Sequence, residues 1–297
     1  MGAIGEVKCL DRLFCIIKLN REEKSKMNCK EKFRNIVGDK NYIKLRSLKK
    51  SILNIKKRIV WNKRYKEDLK NYSIANKREA FRFEKNSEYK ILGEWEKEAG
   101  TLGPYFWQDL WAAQHVYRNN PERHYDIGSS ISGFIGHLTS FRGTNRGVFL
   151  IDVRPLKTKI PGVEFVQGDA KRLENIKDNS VESLSSLCAL EHFGLGRYGD
   201  EIDPEGCFKA LREMQRILRP GGVLYLSVPV GREHVEFNAH RIFYPKTIIN
   251  ELKEMELVEF STTGLFEDGL RCNEDINKYN NVETHGLLFG LFVFVKK

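Results

Sequence analysis

The chain has no apolar run long enough to cross a bilayer as a helix: Leu13 to Ile17 is short and is bracketed by Arg12, Lys18 and Arg21, where a spanning helix needs about 20 apolar residues. A transmembrane anchor and a secretory leader are therefore not expected, Met27 is an alternative start, and the expected location is cytoplasmic. Paired cysteines are also missing. Cys9, Cys15, Cys29, Cys188, Cys207 and Cys272 form no C-x-x-C pair and no zinc-ligand spacing, so the thiols are read as free and reduced, with no metal site. The sequence shows neither an internal repeat nor a low-complexity tract. The small-residue stretch Gly128-Ser129-Ser130-Ile131-Ser132-Gly133 lacks the G-x-G-x-x-G pattern that cradles a dinucleotide pyrophosphate.

Acidic residues are scarce in one region only. Residues 1–99 carry 27 Lys+Arg against 14 Asp+Glu, net +13, which leaves −3 for the remainder of a chain whose total is +10. Such a region suits nucleic acid, an anionic lipid surface met peripherally, or an acidic substrate, and it is equally the signature of a solvated face. Apolar residues make up 41% of the 297-residue chain and aromatics 11%, enough for a large core.

From Lys24 to about Lys97, Tyr42, Leu45, Leu48, Ile52, Ile55 and Ile59 recur at spacings of three and four, which predicts amphipathic helix. Gly100 to Pro104 reads as a loop. Phe106 to Tyr117 is predicted helical, with Leu110, Ala113 and Tyr117 on one face beside Trp107 and Trp111, and Asn119, Asn120 and Pro121 stop it. Strand-like and helix-like segments then alternate, the pattern of a mostly parallel sheet covered on both faces. Strands are predicted at 124–127, 147–153, 163–167, 181–187, 223–228, 257–263 and 287–296. The clearest helix runs from Glu205 to Leu218, ended by Arg219, Pro220 and the Gly221-Gly222 pair. The expected organisation is a basic helical region at 1–99, a connecting helix at 100–121 and a seven-stranded doubly wound α/β domain at 122–297.

Three strand ends carry acids. Tyr125-Asp126-Ile127-Gly128-Ser129-Ser130-Ile131-Ser132-Gly133 passes from a strand through small residues into a helix, which lets a backbone approach a ligand closely. Leu150-Ile151-Asp152-Val153-Arg154-Pro155 ends a strand on an acid that can accept ribose hydroxyls. Phe165-Val166-Gln167-Gly168-Asp169-Ala170 is a third such end, placed to take an adenine amino group. Singly, each acid is as well read as a helix cap or a polar strand end. Their order at successive strand ends is the stronger signal.

With these motifs, residues 122–297 resemble the class I S-adenosylmethionine-dependent methyltransferases, a Rossmann-like superfamily. The resemblance extends to Asn179-Ser180-Val181-Glu182-Ser183-Leu184, to Ala189-Leu190-Glu191-His192, and most specifically to Ile217-Leu218-Arg219-Pro220-Gly221-Gly222-Val223-Leu224. It implies S-adenosylmethionine as cofactor, with Asp126, Gly128, Ser129 and Ser130 at its methionine part, Asp152 at its ribose, Asp169 and Ala170 near its adenine, and Leu190 and Glu191 beside it. More narrowly, ALEHFGLGRYGD (189–200) and FNAHR (237–241) are similar to a little-characterised bacterial methyltransferase-like family often associated with surface-polysaccharide gene clusters. The first loop departs from the superfamily, with serines where the second and third glycines usually stand.

In an open α/β sheet the ligand lies outside the carboxyl ends of the strands, so the loops after the fourth and fifth strands face the reacting group. Methyl transfer depends mostly on positioning, and a base helps when the acceptor is a hydroxyl. The candidates are His192, Tyr198, Asp200, Asp203 and His240, with Arg197 and Arg241 available for an anionic substrate group. A histidine in such a loop is also commonly a surface hydrogen-bonding residue. The expected activity is methylation of a small-molecule or glycan-linked acceptor. The competing readings are a scaffold that keeps the fold without catalysis, and a nucleic-acid methyltransferase. Against the last stand the absence of an N-P-P-Y-type motif and of a recognisable RNA-binding module.

Overall fold

The computed structural model describes residues 39–95, 100, 102–143, 146–264, 269–284 and 288–297, and for 39–52 the helical backbone alone. Cys9, Cys15, Cys29, Met27, the Leu13–Ile17 run, the start of the predicted N-terminal helix and the side chains of Tyr42, Leu45, Leu48 and Ile52 lie outside the described residues. The chain divides into two compact units, 1–99 and 100–297.

Among the described residues of the first unit, the one α-helix, α1, runs from Asp39 to Ala75, well short of Lys97. Asn76 ends it: its side chain accepts the Arg78 N–H at 2.9 Å and donates to the Arg78 carbonyl at 3.0 Å, a local bond that competes with continued helix. Residues 76–95 then run back along α1. Gly93 sits against the Trp61 ring, the Arg64 guanidinium lies 4.9 Å from the centre of Trp95, and the Lys90 ammonium lies 4.8 Å from that of Tyr65. Leu53, Ile55, Ile59 and Val60 remain exposed.

The second unit begins with α2, Pro104–Asn119. Proline suits the first turn, and Asn120 caps the far end in the left-handed region, its N–H bonded to the Val116 carbonyl. The buried face is not the predicted one. Gln108, Asp109, Trp111, Ala112, Ala113 and Val116 are inward while Tyr117 is exposed, because Trp111 and the two alanines pack with Phe134, Leu138, Phe289 and Leu291. The helix covers one face of the sheet.

The sheet contains β1 (His124–Ile127), β2 (Val148–Asp152), β3 (Val163–Gln167), β4 (Val181–Leu187), β5 (Leu218–Pro229), β8 (Met255–Thr263), a two-residue β9 (Leu270–Arg271) and β10 (Phe289–Lys296). β6 (His234–Glu236) and β7 (His240–Ile242) form a separate hairpin. The spatial order is β3-β2-β1-β4-β5-β10-β8-β9. The first five strands are mutually parallel, and β10 is antiparallel to both β5 and β8. All seven expected strands are present, in a doubly wound sheet. The fifth is longer than expected, with a register shift that leaves Arg219 to Gly222 outside the ladder between Val181↔Leu218 and Ser183↔Val223.

Side chains alternate between two cores, as a pleated strand requires. Tyr225, Leu291 and Val293 face α2 and α3 (Gly136–Arg142). Leu224, Leu226, Phe292 and Phe294 face α4 (Gly206–Ile217) and α5 (Pro245–Glu251), which contribute Leu211, Met214 and Ile248. The strand order reverses between β1 and β4, and a crevice opens at their carboxyl ends.

Candidate functional site

A cleft with an empty volume of about 660 Å³, its open side included, lies over that crevice. Its walls include Gly128 after β1, Asp152 and Arg154 at the end of β2, Gly168 to Lys171 after β3, and Cys188, Ala189, His192, Phe193, Gly194, Tyr198 and Asp200 after β4. Four strand ends thus meet in one place. Of the residues singled out from sequence, Gly128, Asp152, Asp169, Ala170, His192, Tyr198 and Asp200 line the cleft. Asp126, Ser129, Ser130, Leu190, Glu191, Asp203 and His240 do not.

Asp126 is fully buried one residue before the cleft begins. It accepts from the Ser129 N–H at 3.0 Å, the Ser129 hydroxyl at 2.6 Å and the Ser185 hydroxyl at 2.5 Å. Burial raises its pKa to about 6, against the lowering effect of those serine bonds. Ser129 in turn accepts the Leu187 N–H at 3.0 Å, tying the loop to β4. Ser130 caps the following single π turn, Ile131–Ile135, by accepting the Gly133 N–H. Ser129 and Ser130 are therefore internal fasteners of the first loop. Gly128 takes φ +72°, where an added Cβ would stand 3.1 Å from the Ala189 Cβ. Gly133 is needed for a different reason, since a Cβ there would stand 2.0 Å from an Asp109 carboxylate oxygen. That oxygen's helix, α2, braces the loop from outside the sheet.

Asp152 is bound on three sides. The Arg154 backbone N–H and Nε donate to Oδ1 at 2.9 and 3.0 Å, and Arg154 NH2 donates to Oδ2 at 2.7 Å. Burial alone raises a carboxyl, but the Arg154 bonds outweigh it and hold Asp152 below its ordinary pKa. The Arg154 guanidinium also lies 4.6 Å from the centre of the Tyr198 ring. Asp169 accepts the Lys171 N–H at 2.9 Å, and the buried Lys171 ammonium is 3.6 Å from its other oxygen.

The segment after β4 departs from regular backbone at Cys188, which takes φ +47°. Its thiol lies 3.3 Å from the Ser227 hydroxyl, which donates to Gln108 of α2, and burial raises its pKa well above the ordinary value. Leu190 is wholly in the core. Glu191 is 2% exposed, and its Oε2 has no hydrogen-bond partner among the described residues. Burial pushes its pKa up to about 8, so it is protonated at neutral pH. Its Oε1 lies 3.6 Å from His192 Nε2.

His192 Nδ1 is 2.6 Å from the Ala239 carbonyl, which assigns the proton to Nδ1 and leaves the lone pair on Nε2. Burial, aided by the nearby Arg197 and His240 and opposed by the Ala239 bond, pushes its pKa down to about 4. The imidazole is a neutral base across the physiological range. Its ring meets Tyr198 edge-on at 5.4 Å and lies 6.4 Å from that of His240. His240 starts β7 with Nε2 3.2 Å from Glu236, and burial lowers its pKa. Asp200 closes its own loop by accepting from the Gly194 and Tyr198 N–H groups at 2.7 and 3.3 Å.

Arg241 and Arg197 serve the backbone. Arg241 donates to the Phe193, Glu191 and Pro204 carbonyls, and Arg197 to that of Ala239. These bonds stitch the 191–204 segment to the β6–β7 hairpin. Among the described residues no group of three His, Cys, Asp or Glu side chains is arranged to hold a metal, and no helix is long and apolar enough to cross a membrane.

A family model described as a Caenorhabditis protein of unknown function, DUF268, matches residues 158–281, less than half of the chain. No curated protein matches. Among solved structures, the chain is similar to the Burkholderia thailandensis 1,6-didemethyltoxoflavin-N1-methyltransferase with bound 1,6-didemethyltoxoflavin and S-adenosylhomocysteine, at 14% identity over 64% of this chain and 78% of that one, TM-score 0.43. It is similar to the N-methyltransferase NodS from Bradyrhizobium japonicum WM9 in complex with S-adenosylhomocysteine, at 14% identity over 65% and 88%, TM-score 0.41. A TehB-like SAM-dependent methyltransferase from Corynebacterium glutamicum is 18% identical over 64% and 94%, TM-score 0.40. These likenesses are of fold.

Arg154 and Cys188 were not reached from sequence. Arg154 stands two residues beyond an acid at a strand end, where a turn returns the side chain, and that spacing was the available signal. Cys188 had only its place directly after a strand.

Proposed function

We propose that the protein is an S-adenosylmethionine-dependent methyltransferase acting on a small-molecule or glycan-linked acceptor, with surface-polysaccharide biosynthesis as the setting. The observation that carries this reading is the convergence of Gly128, Asp152 and Asp169 on one cleft at the β1/β4 switch point. The residue types fit the cofactor. A glycine without a side chain leaves room beside the backbone, Asp152 offers carboxylate oxygens to a ribose, and Asp169 and Ala170 offer an acceptor and a small apolar surface to an adenine. When bound, the cofactor supplies an electrophilic methyl group.

On the acceptor side, His192 is the base. Its tautomer is set by Ala239, and its depressed pKa keeps Nε2 free to take a proton from a hydroxyl or amine. Tyr198 and Phe193 give that side of the cleft aromatic faces, and His240 backs His192 from the hairpin. Asp126, Ser129, Ser130 and Leu190 act on the cofactor through the shape of the loops they hold.

Calorimetric titration with S-adenosylmethionine and with NAD tests the cofactor. Binding of the first but not the second is expected, with Asp152→Ala weakening it at least tenfold through loss of a charged hydrogen-bond acceptor, on the order of 1.5–3 kcal/mol. No binding of S-adenosylmethionine, together with an indifferent Asp152→Ala, sinks the reading. Cofactor turnover over a panel of nucleotide sugars and bacterial glycans tests the acceptor class.

A further inference from the structure

The Asp152 carboxylate is the group a ribose diol would need, and Arg154 already holds it. A carboxylate offers about four lone-pair sites. Arg154 fills three of them, with its backbone N–H and Nε on Oδ1 and its NH2 on Oδ2. A diol that hydrogen-bonds through both hydroxyls cannot join such a fork and must replace it. The displaced guanidinium has a neighbouring resting place, because its carbon already lies 4.6 Å from the centre of the Tyr198 ring. Tyr198 belongs to the segment after β4, where it also meets His192 edge-on and lies 5.2 Å from the Arg197 guanidinium carbon.

We propose that Arg154 is a latch, competing with the cofactor's ribose for Asp152 and reporting its arrival to the acceptor side of the cleft through Tyr198. This rests on the cofactor reading given above. The latch is weak enough to yield. Arg154 is half exposed, and partly exposed ion pairs contribute about 1 kcal/mol or less and are screened by salt. Arg154 is a positioning residue here, since it acts through Asp152 and Tyr198 and needs no contact with the transferred group.

The test is calorimetric titration of the full chain with S-adenosylhomocysteine, using wild type, Arg154→Ala, Arg154→Lys and Asp152→Ala at low and high salt. Removing the competing fork is expected to tighten binding roughly fivefold at low salt in Arg154→Ala. Wild-type affinity is expected to rise as sodium chloride goes from about 0.05 to 0.5 M, because screening loosens the pair, while Arg154→Ala changes little. Arg154→Lys should fall between them, since an ammonium supplies a point charge without the planar fork. A purely structural Arg154 would produce neither the tightening nor the salt trend. If the wild type binds and Arg154→Ala binds equally or more weakly, the latch is overturned and the cofactor reading stands. If no variant binds at either salt, both fall together.

Discussion

Two buried acids lie on either side of the strand crossing, and the protein treats them oppositely. Asp126, at the end of β1, has both oxygens satisfied by Ser129 and Ser185 and a pKa near 6. Glu191, just after β4, keeps one oxygen unpartnered and a pKa near 8. Both are desolvated, so the difference comes from hydrogen bonds to the charged form. Asp126 is an organiser that a fold can use without any ligand. An unsatisfied buried group costs stability, and such groups concentrate where a site performs chemistry. The loop after β1 is closed by its own hydrogen bonds, whereas the segment after β4, with its left-handed Cys188, holds Glu191 with one oxygen unpartnered and the other 3.6 Å from His192.

The sharpest way to break this comparison is Asp126→Ala. It leaves the Ser129 N–H and hydroxyl without their acceptor in a sealed interior and should cost about 3 kcal/mol in urea unfolding. A loss below about 1 kcal/mol would remove its role as organiser. Next is Gly133→Ala, whose Cβ must displace the Asp109 carboxylate; overpacking of this kind costs about 1–3 kcal/mol. If α2 braces the loop as described, adding Asp109→Ala should recover part of that loss, and a fully additive double mutant would argue against contact.

The smallest effect concerns Glu191. Its pKa is raised from 4.5 to about 8, so between those values the folded protein holds a proton that the unfolded chain has released, and stability falls as pH rises. His192, lowered from 6.5 to about 4, works in the opposite direction but only below 6.5. From pH 6.5 to 8 the decline due to Glu191 should approach about 1.4 kcal/mol per pH unit. Glu191→Gln should flatten it in denaturant melts at the two pH values; an unchanged slope would show that Glu191 is ionised.

The large elements were legible because their signals are local. Strands at 124–127, 163–167 and 181–187 have the predicted bounds, each a short apolar run between turn residues. The hairpin strands β6 and β7 and the two-residue β9 were not, since three residues or fewer carry no period to read. The face of α2 was rotated from its predicted position because Gln108 and Asp109, polar by type, are buried by partners far along the chain, including Ser227. The N-terminal helix was read too long because its Lys/Arg/Glu-rich composition continues past Asn76, although the apolar face predicted for it ends at Ile59, while the side-chain turn at Asn76 and Arg78 ended it.

For the site, which strand ends carry acids, and in what order, is legible along the chain, because strand period and small-residue turns are properties of neighbouring residues. The partners of each acid come from the fold. Asp126 is closed off by Ser185 from a strand 59 positions away, Asp152 is forked by Arg154, and Glu191 is left with an open oxygen. Whether a buried carboxyl is satisfied depends on donors brought in by other strands, and no local spacing records their arrival.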